Sequence, residues 1–152
     1  MPPDAFDEFY AKMRQKHDEA AALAVDCPAE CLLIPENLSS EVVGKRFYHR
    51  YMRDYEDTWI KKIKAAGKFS YVHIDGTLRG LISEVSEVGF NVLEAVTPGP
   101  VGDIEPEDLR DWVKEDTIIW GGIPGLYFSD LISDEKFDEF VDHVSEKVGK
   151  AK

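Results

Sequence analysis

Only two cysteines, Cys27 and Cys31, occur in the 152 residues, too few for a disulfide framework. That usage fits a cytosolic protein. No apolar run approaches the ~20 residues of a membrane span. The start, Met1-Pro2-Pro3-Asp4-Ala5-Phe6-Asp7, has neither the basic nor the apolar region of a signal peptide. Positive charge is scarce: 18 Lys and Arg stand against 30 Asp and Glu, a formal charge of -12. Such a surface repels phosphate backbones and anionic lipids, which argues against nucleic-acid and membrane partners. The sequence also has no low-complexity tract, no linker and no Walker, Rossmann or Ser-His-Asp pattern.

What is present suits one domain over residues 1–152, with a helix at 4–24 and four strand–helix units at 31–149. The first segment is rich in Ala, Glu, Lys and Gln, which favour helix. Strands are expected at 31–34, 69–72, 90–93 and 117–120, each a short apolar, β-prone run. Between the first two, Phe47, Tyr51, Tyr55, Trp59 and Ile63 recur every four residues, predicting one helix over 41–66 that ends at Gly67. Leu78, Leu81, Ile82, Val85 and Val88 mark the next helix, closed by Gly89. Pro106 with acids around it starts another. Ser133 is a good N-cap for the last, whose face is Phe137, Phe140, Val141, Val144 and Val148.

The strands do not alternate apolar and polar residues, as expected when both faces of a parallel sheet are covered. Strict alternation of strand and helix implies right-handed crossovers. Two architectures fit: a small doubly wound domain, or a half-barrel of four βα units. The half-barrel leaves two strand edges bare and calls for a partner half, from a second copy or another chain.

In either case the chemistry belongs at the C-terminal strand ends. Four polar clusters stand there: Pro35-Glu36-Asn37, His73-Ile74-Asp75-Gly76, Glu94-Ala95-Val96-Thr97-Pro98 and Gly121-Gly122-Ile123-Pro124. Residues two apart in a strand face the same way, so His73 and Asp75 can reach one metal ion. Asp75 can instead cap the helix that begins near Thr77. Glu36 can act as a general base or a further ligand, and Asn37 can hold a polar substrate group. The simpler reading is a loop held by Asn37 and Ser39 bonds to backbone. Cys27 and Cys31 read as buried structural thiols, Trp120 as core, and His17, His49 and His143 as surface residues. Gly121, Gly122 and Gly125 read as close packing at a seam rather than a phosphate cradle.

From Leu33 to Val148 the chain resembles the C-terminal half of the uroporphyrinogen decarboxylase superfamily, which includes corrinoid-dependent methyltransferases. The resemblance lies in an ordered series. Ile34-Pro35-Glu36-Asn37-Leu38-Ser39-Ser40 is similar to the acidic strand end and serine-rich loop after the family's fifth strand. Ala66-Gly67-Lys68 followed by Val72-His73-Ile74-Asp75-Gly76 resembles "gK…H-x-C-G". Glu87-Val88-Gly89-Phe90-Asn91-Val92-Leu93 resembles "e-x-G-x-D-x-l", and Trp120-Gly121-Gly122-Ile123-Pro124 the eighth-strand glycine segment.

The resemblance implies a TIM-barrel-type α/β half-barrel, four parallel strands with flanking helices, matching the second half of a (β/α)8 barrel. It implies metal-assisted methyl transfer to or from a small thiol or a corrinoid-linked methyl group, the corrinoid carried by a partner protein. Zinc held by His73, Asp75 and Glu94 is the implied metal; the glutamate follows the related cobalamin-independent methionine synthase. This chain has Asp75 where the family has cysteine and no cysteine after it. A His-Asp-Glu set is harder than a thiolate set and suits Zn²⁺ in an open site, or Fe²⁺ or Mn²⁺. Decarboxylation of a tetrapyrrole is the alternative within the family. A non-catalytic half-barrel is the alternative outside it.

Overall fold

The computed structural model describes residues 3–148, and it is an α/β fold built on a four-stranded parallel sheet. The order along the chain is α1 (Pro3–Asp26), β1 (Cys31–Leu38), α2 (Gly44–Phe47), a π-helical turn (Tyr48–Met52), α3 (Arg53–Ala65), β2 (Phe69–Ile74), α4 (Ile82–Val88), β3 (Val92–Val96), α5 (Leu109–Trp112), β4 (Ile118–Gly121) and α6 (Asp134–Val148). Strand order in space follows the sequence, β1-β2-β3-β4. A doubly wound sheet reverses strand order at a switch point; this sheet has no such reversal.

The register sorts the strand residues into two faces. On one face Ile34, Val72, Leu93 and Ile119 are cross-strand neighbours, and the first three are buried under the helices. On the other, Leu33, Tyr71, Val92 and Ile118 form a row, followed toward the C-terminal ends by His73, Glu94 and Trp120. This second face is largely uncovered: Leu33 is 44%, Phe69 59%, Ile118 58% and Trp120 62% exposed. The expectation of two covered faces, with Trp120 in the core, therefore fails. The apolar residues are on both faces, but the helices among the described residues cover only one.

The core is where α3 and α4 meet the covered face: Trp59, Ile60 and Ile63 of α3 pack with Val72, Ile74, Ile82, Val85 and Leu93. The five-aromatic stripe behaves as predicted at its end and differs at its start. Tyr55, Trp59 and Ile63 are buried, whereas Tyr51 and Phe47 turn toward α1, with Phe6 and Tyr10 set edge-on to Tyr51. The expected single helix is divided by the π-turn, within which Tyr48 is fully buried. Ser133 caps α6 through its Oγ, which accepts the Lys136 N–H at 3.4 Å. Cys31 is exposed and Cys27 half-buried, both free, so they are not buried structural thiols. No helix among the described residues is long and apolar enough to cross a membrane.

Candidate functional site

The C-terminal strand ends are shaped by two irregularities. β1 advances from Ile34 to Leu38 while β2 advances only from Val72 to Ile74, so Pro35, Glu36 and Asn37 bulge from the ladder. β3 bulges between Glu94 and Val96, with Ala95 in the left-handed region at φ 64°. A non-glycine residue there is uncommon and costs energy. The bulge lets Val96 pair with Gly121, whose φ is 150° and where an added Cβ would lie 2.7 Å from the Val96 backbone. Close packing at the Gly121 seam is thus what the structure has.

His73 and Glu94 are direct cross-strand partners, and their side chains meet: Nδ1 of His73 is 2.6 Å from Oε2 of Glu94. A carboxylate only accepts, so Nδ1 carries the proton in this contact and Nε2 is the ring nitrogen left for another partner. Oδ2 of Asp75 stands 3.9 Å from that Nε2. His73, Glu94 and Asp75 are all partly exposed, at 35%, 29% and 46% of their side-chain surface. The structure thus brings together the three residues the sequence singled out as a set.

As a metal site the set is incomplete. Glu94 is engaged with Nδ1, the part an outer carboxylate plays in orienting a metal-bound histidine rather than that of a ligand. His73 Nε2 and Asp75 Oδ2 remain as two donors. Ligands about 2.0–2.2 Å from one ion lie closer together than these two unless the ion is nearly between them. Among the described residues no three of His, Cys, Asp and Glu are arranged to hold a metal.

Glu36 and Asn37 are not part of this cluster. Glu36 turns toward α1 and α3 and lines a cavity of about 290 Å³ with Tyr10, Arg14, Tyr51 and Tyr55. Burial raises its carboxyl above the usual range. Asn37 is exposed, and its side chain makes no hydrogen bond among the described residues. Ser39 does hold the loop, its Oγ accepting the Val42 N–H at 3.4 Å. Asp75 caps no helix: α4 begins only at Ile82 and has no side-chain cap, and in the turn before it Asp103 accepts from the backbone N–H of Leu78 at 2.6 Å and of Arg79 at 3.0 Å. That contact ties the loop after β3 to the loop after β2 and fixes the rim beside His73.

One buried group escaped the sequence reading. Glu56, on the covered side of α3, is 0% exposed. Its Oε2 accepts from the Tyr48 hydroxyl, while Oε1 has no partner among the described residues. Burial, with a smaller contribution from the Glu36 charge and against the pull of the Tyr48 bond, raises it to about 8. The only sequence signal was an acid on the apolar stripe of a helix, between Tyr55 and Trp59. Compared with protein-family models, curated proteins and solved structures, the chain matches none.

Proposed function

We propose that this chain is half of a (β/α)8 barrel that acts in methyl transfer, with His73 as the proton acceptor for a small thiol. The observation that carries the reading is the 2.6 Å contact of His73 Nδ1 with Glu94, beside Asp75, at the strand ends where such folds work. Glu94 fixes the ring plane and keeps the proton on Nδ1, so that Nε2 presents its lone pair to the mouth. A thiol placed against Nε2 passes its proton to the ring. The thiolate then attacks a methyl carbon, and the bond from that carbon to its carrier breaks with the electron pair staying on the carrier. The uroporphyrinogen decarboxylase-like motif series supports the carrier being a corrinoid on another protein.

The charge at the mouth disfavours the decarboxylase alternative. Asp75, Glu94 and Asp103 line the same rim and would repel a substrate with many carboxylates. The two-donor count favours, as a second reading, a half whose site becomes complete only against a facing half. A divalent metal, zinc by the chemistry of the donors, would then take its remaining ligands from that half.

The test is the loss of the methyl–cobalt absorbance of methylcobalamin with a small thiol in excess. Wild-type protein is expected to accelerate it, and His73→Ala to lose about 10²–10⁴-fold of that acceleration. No acceleration over buffer by the wild-type protein overturns the reading.

A further inference from the structure

β1 and β4 are the edges of the sheet, and the outer edge of β1 is flanked by a groove. Its walls include four successive strand residues, Leu32 to Pro35, belonging to both faces of β1, so it opens along the edge itself. The far wall is α1, which presents Ala20, Ala21, Ala24 and Val25. The groove is about 280 Å³ and mostly apolar. α1 reaches this position by packing on α3: Trp59 Nε1 donates to Asp18 at 2.6 Å, and Arg14 pairs with Asp54 at 3.2 Å. It therefore overhangs the edge as a helix of a βα unit does, with small side chains facing the place a strand would fill.

The opposite edge offers such a strand. Among the described residues β4 bonds only to β3, and its Ile118 and Trp120 are exposed on the uncovered face. We propose that the groove accepts β4 of a second copy of this chain, in parallel register with β1, and that the second copy's groove accepts β4 of the first. The exchange is two-fold symmetric, leaves no bare edge and closes eight strands into a barrel.

The second copy is favoured over other occupants because each chain carries both parts, one acceptor groove and one donor strand, in the parallel sense the closure needs. The uncovered faces then meet as the barrel interior. Leu33, Phe69, Ile118 and Trp120 together expose on the order of 500 Å² per copy, the size of the largest apolar patch of a single chain, which is often functional. Two such faces approach the roughly 1,000 Å² of a specific interface before the strand edges are counted. None of these four side chains is charged, so the charge of -12 per copy opposes association chiefly at long range, and carboxylates meet only at the mouth, where Glu94 is paired with His73. Closure sets two His73–Glu94 pairs at one mouth. This inference rests on the half-barrel architecture proposed above and not on the chemistry assigned to His73.

Light scattering on a sizing column, across protein concentrations, tests it. The expected mass is twice the 17.2 kDa of the chain. Two exposed positions separate the parts: Ala20→Trp fills the groove and Ile118→Lys charges the donor strand. Each is expected to shift dissociation to at least tenfold higher concentration, with the far-UV circular dichroism of the wild type. A monomer at every concentration overturns the second copy as the occupant, as does a stable complex formed only with a different chain. A dimer indifferent to both substitutions overturns the groove. None of these outcomes depends on whether thiol methylation is observed.

Discussion

Glu56 is the residue with the clearest pH signature. Its carboxyl is raised to about 8 in the folded protein, chiefly by burial, while the unfolded chain releases the same proton near 4.5. Between these values the folded state holds this proton and the unfolded state does not, so the Glu56 contribution to stability falls as pH rises, by up to about 1.4 kcal/mol per pH unit. Urea midpoints measured from pH 5 to 8 are expected to decline in the wild type and to flatten in Glu56→Gln. Tyr48→Phe removes the one bond to this carboxyl and is expected to cost about 1–3 kcal/mol. At the mouth, ¹⁵N spectra of His73 are expected to show the proton on Nδ1, and Glu94→Gln to weaken that preference. Gly121→Ala places a Cβ against the Val96 backbone and is expected to destabilise the β3–β4 junction by about 1–3 kcal/mol in chemical denaturation. His73, Asp75 and Glu94 were legible because strand period and strand order suffice to set them together. Glu36 was misplaced because a bulge reverses which way a side chain points, and nothing in Pro35-Glu36-Asn37 announces how many residues leave the ladder.

At the scale of elements, every strand and most helices were legible from apolar runs and glycine stops. The differences are instructive in kind. β3 runs from Val92 to Val96 rather than from Phe90: Asn91 bonds the backbone of Ser70 and Ile118, but its side-chain Oδ1 also takes the Ser70 N–H, and regular pairing starts only at the next residue. The helix expected from Leu78 starts at Ile82, since Asp103 holds the backbone of Leu78 and Arg79 in a turn first. The π-turn at Tyr48–Met52 had no periodic signal, as it adds less than a turn to a stripe that continues beyond it. Trp59 joins the elements: it is buried on α3 and holds α1 through Asp18. Trp59→Ala is expected to cost about 3–5 kcal/mol in denaturant unfolding and to loosen α1, seen as faster amide exchange over residues 3–26.

For the whole molecule, strands apolar on both faces led to the expectation of two covers, and the helices among the described residues supply one. That mismatch is the physical basis for proposing a partner copy. Because each chain carries a charge of -12, added salt is expected to strengthen the association while leaving the apolar contact itself unchanged. The measurement that bears most directly on the account is the specific rate of thiol methylation as a function of protein concentration. A site completed by closure predicts that the rate per chain rises as the dimer forms, and that Ala20→Trp loses activity at concentrations where it is monomeric although His73 is intact. A rate per chain that is constant with concentration and unchanged by Ala20→Trp would contradict it.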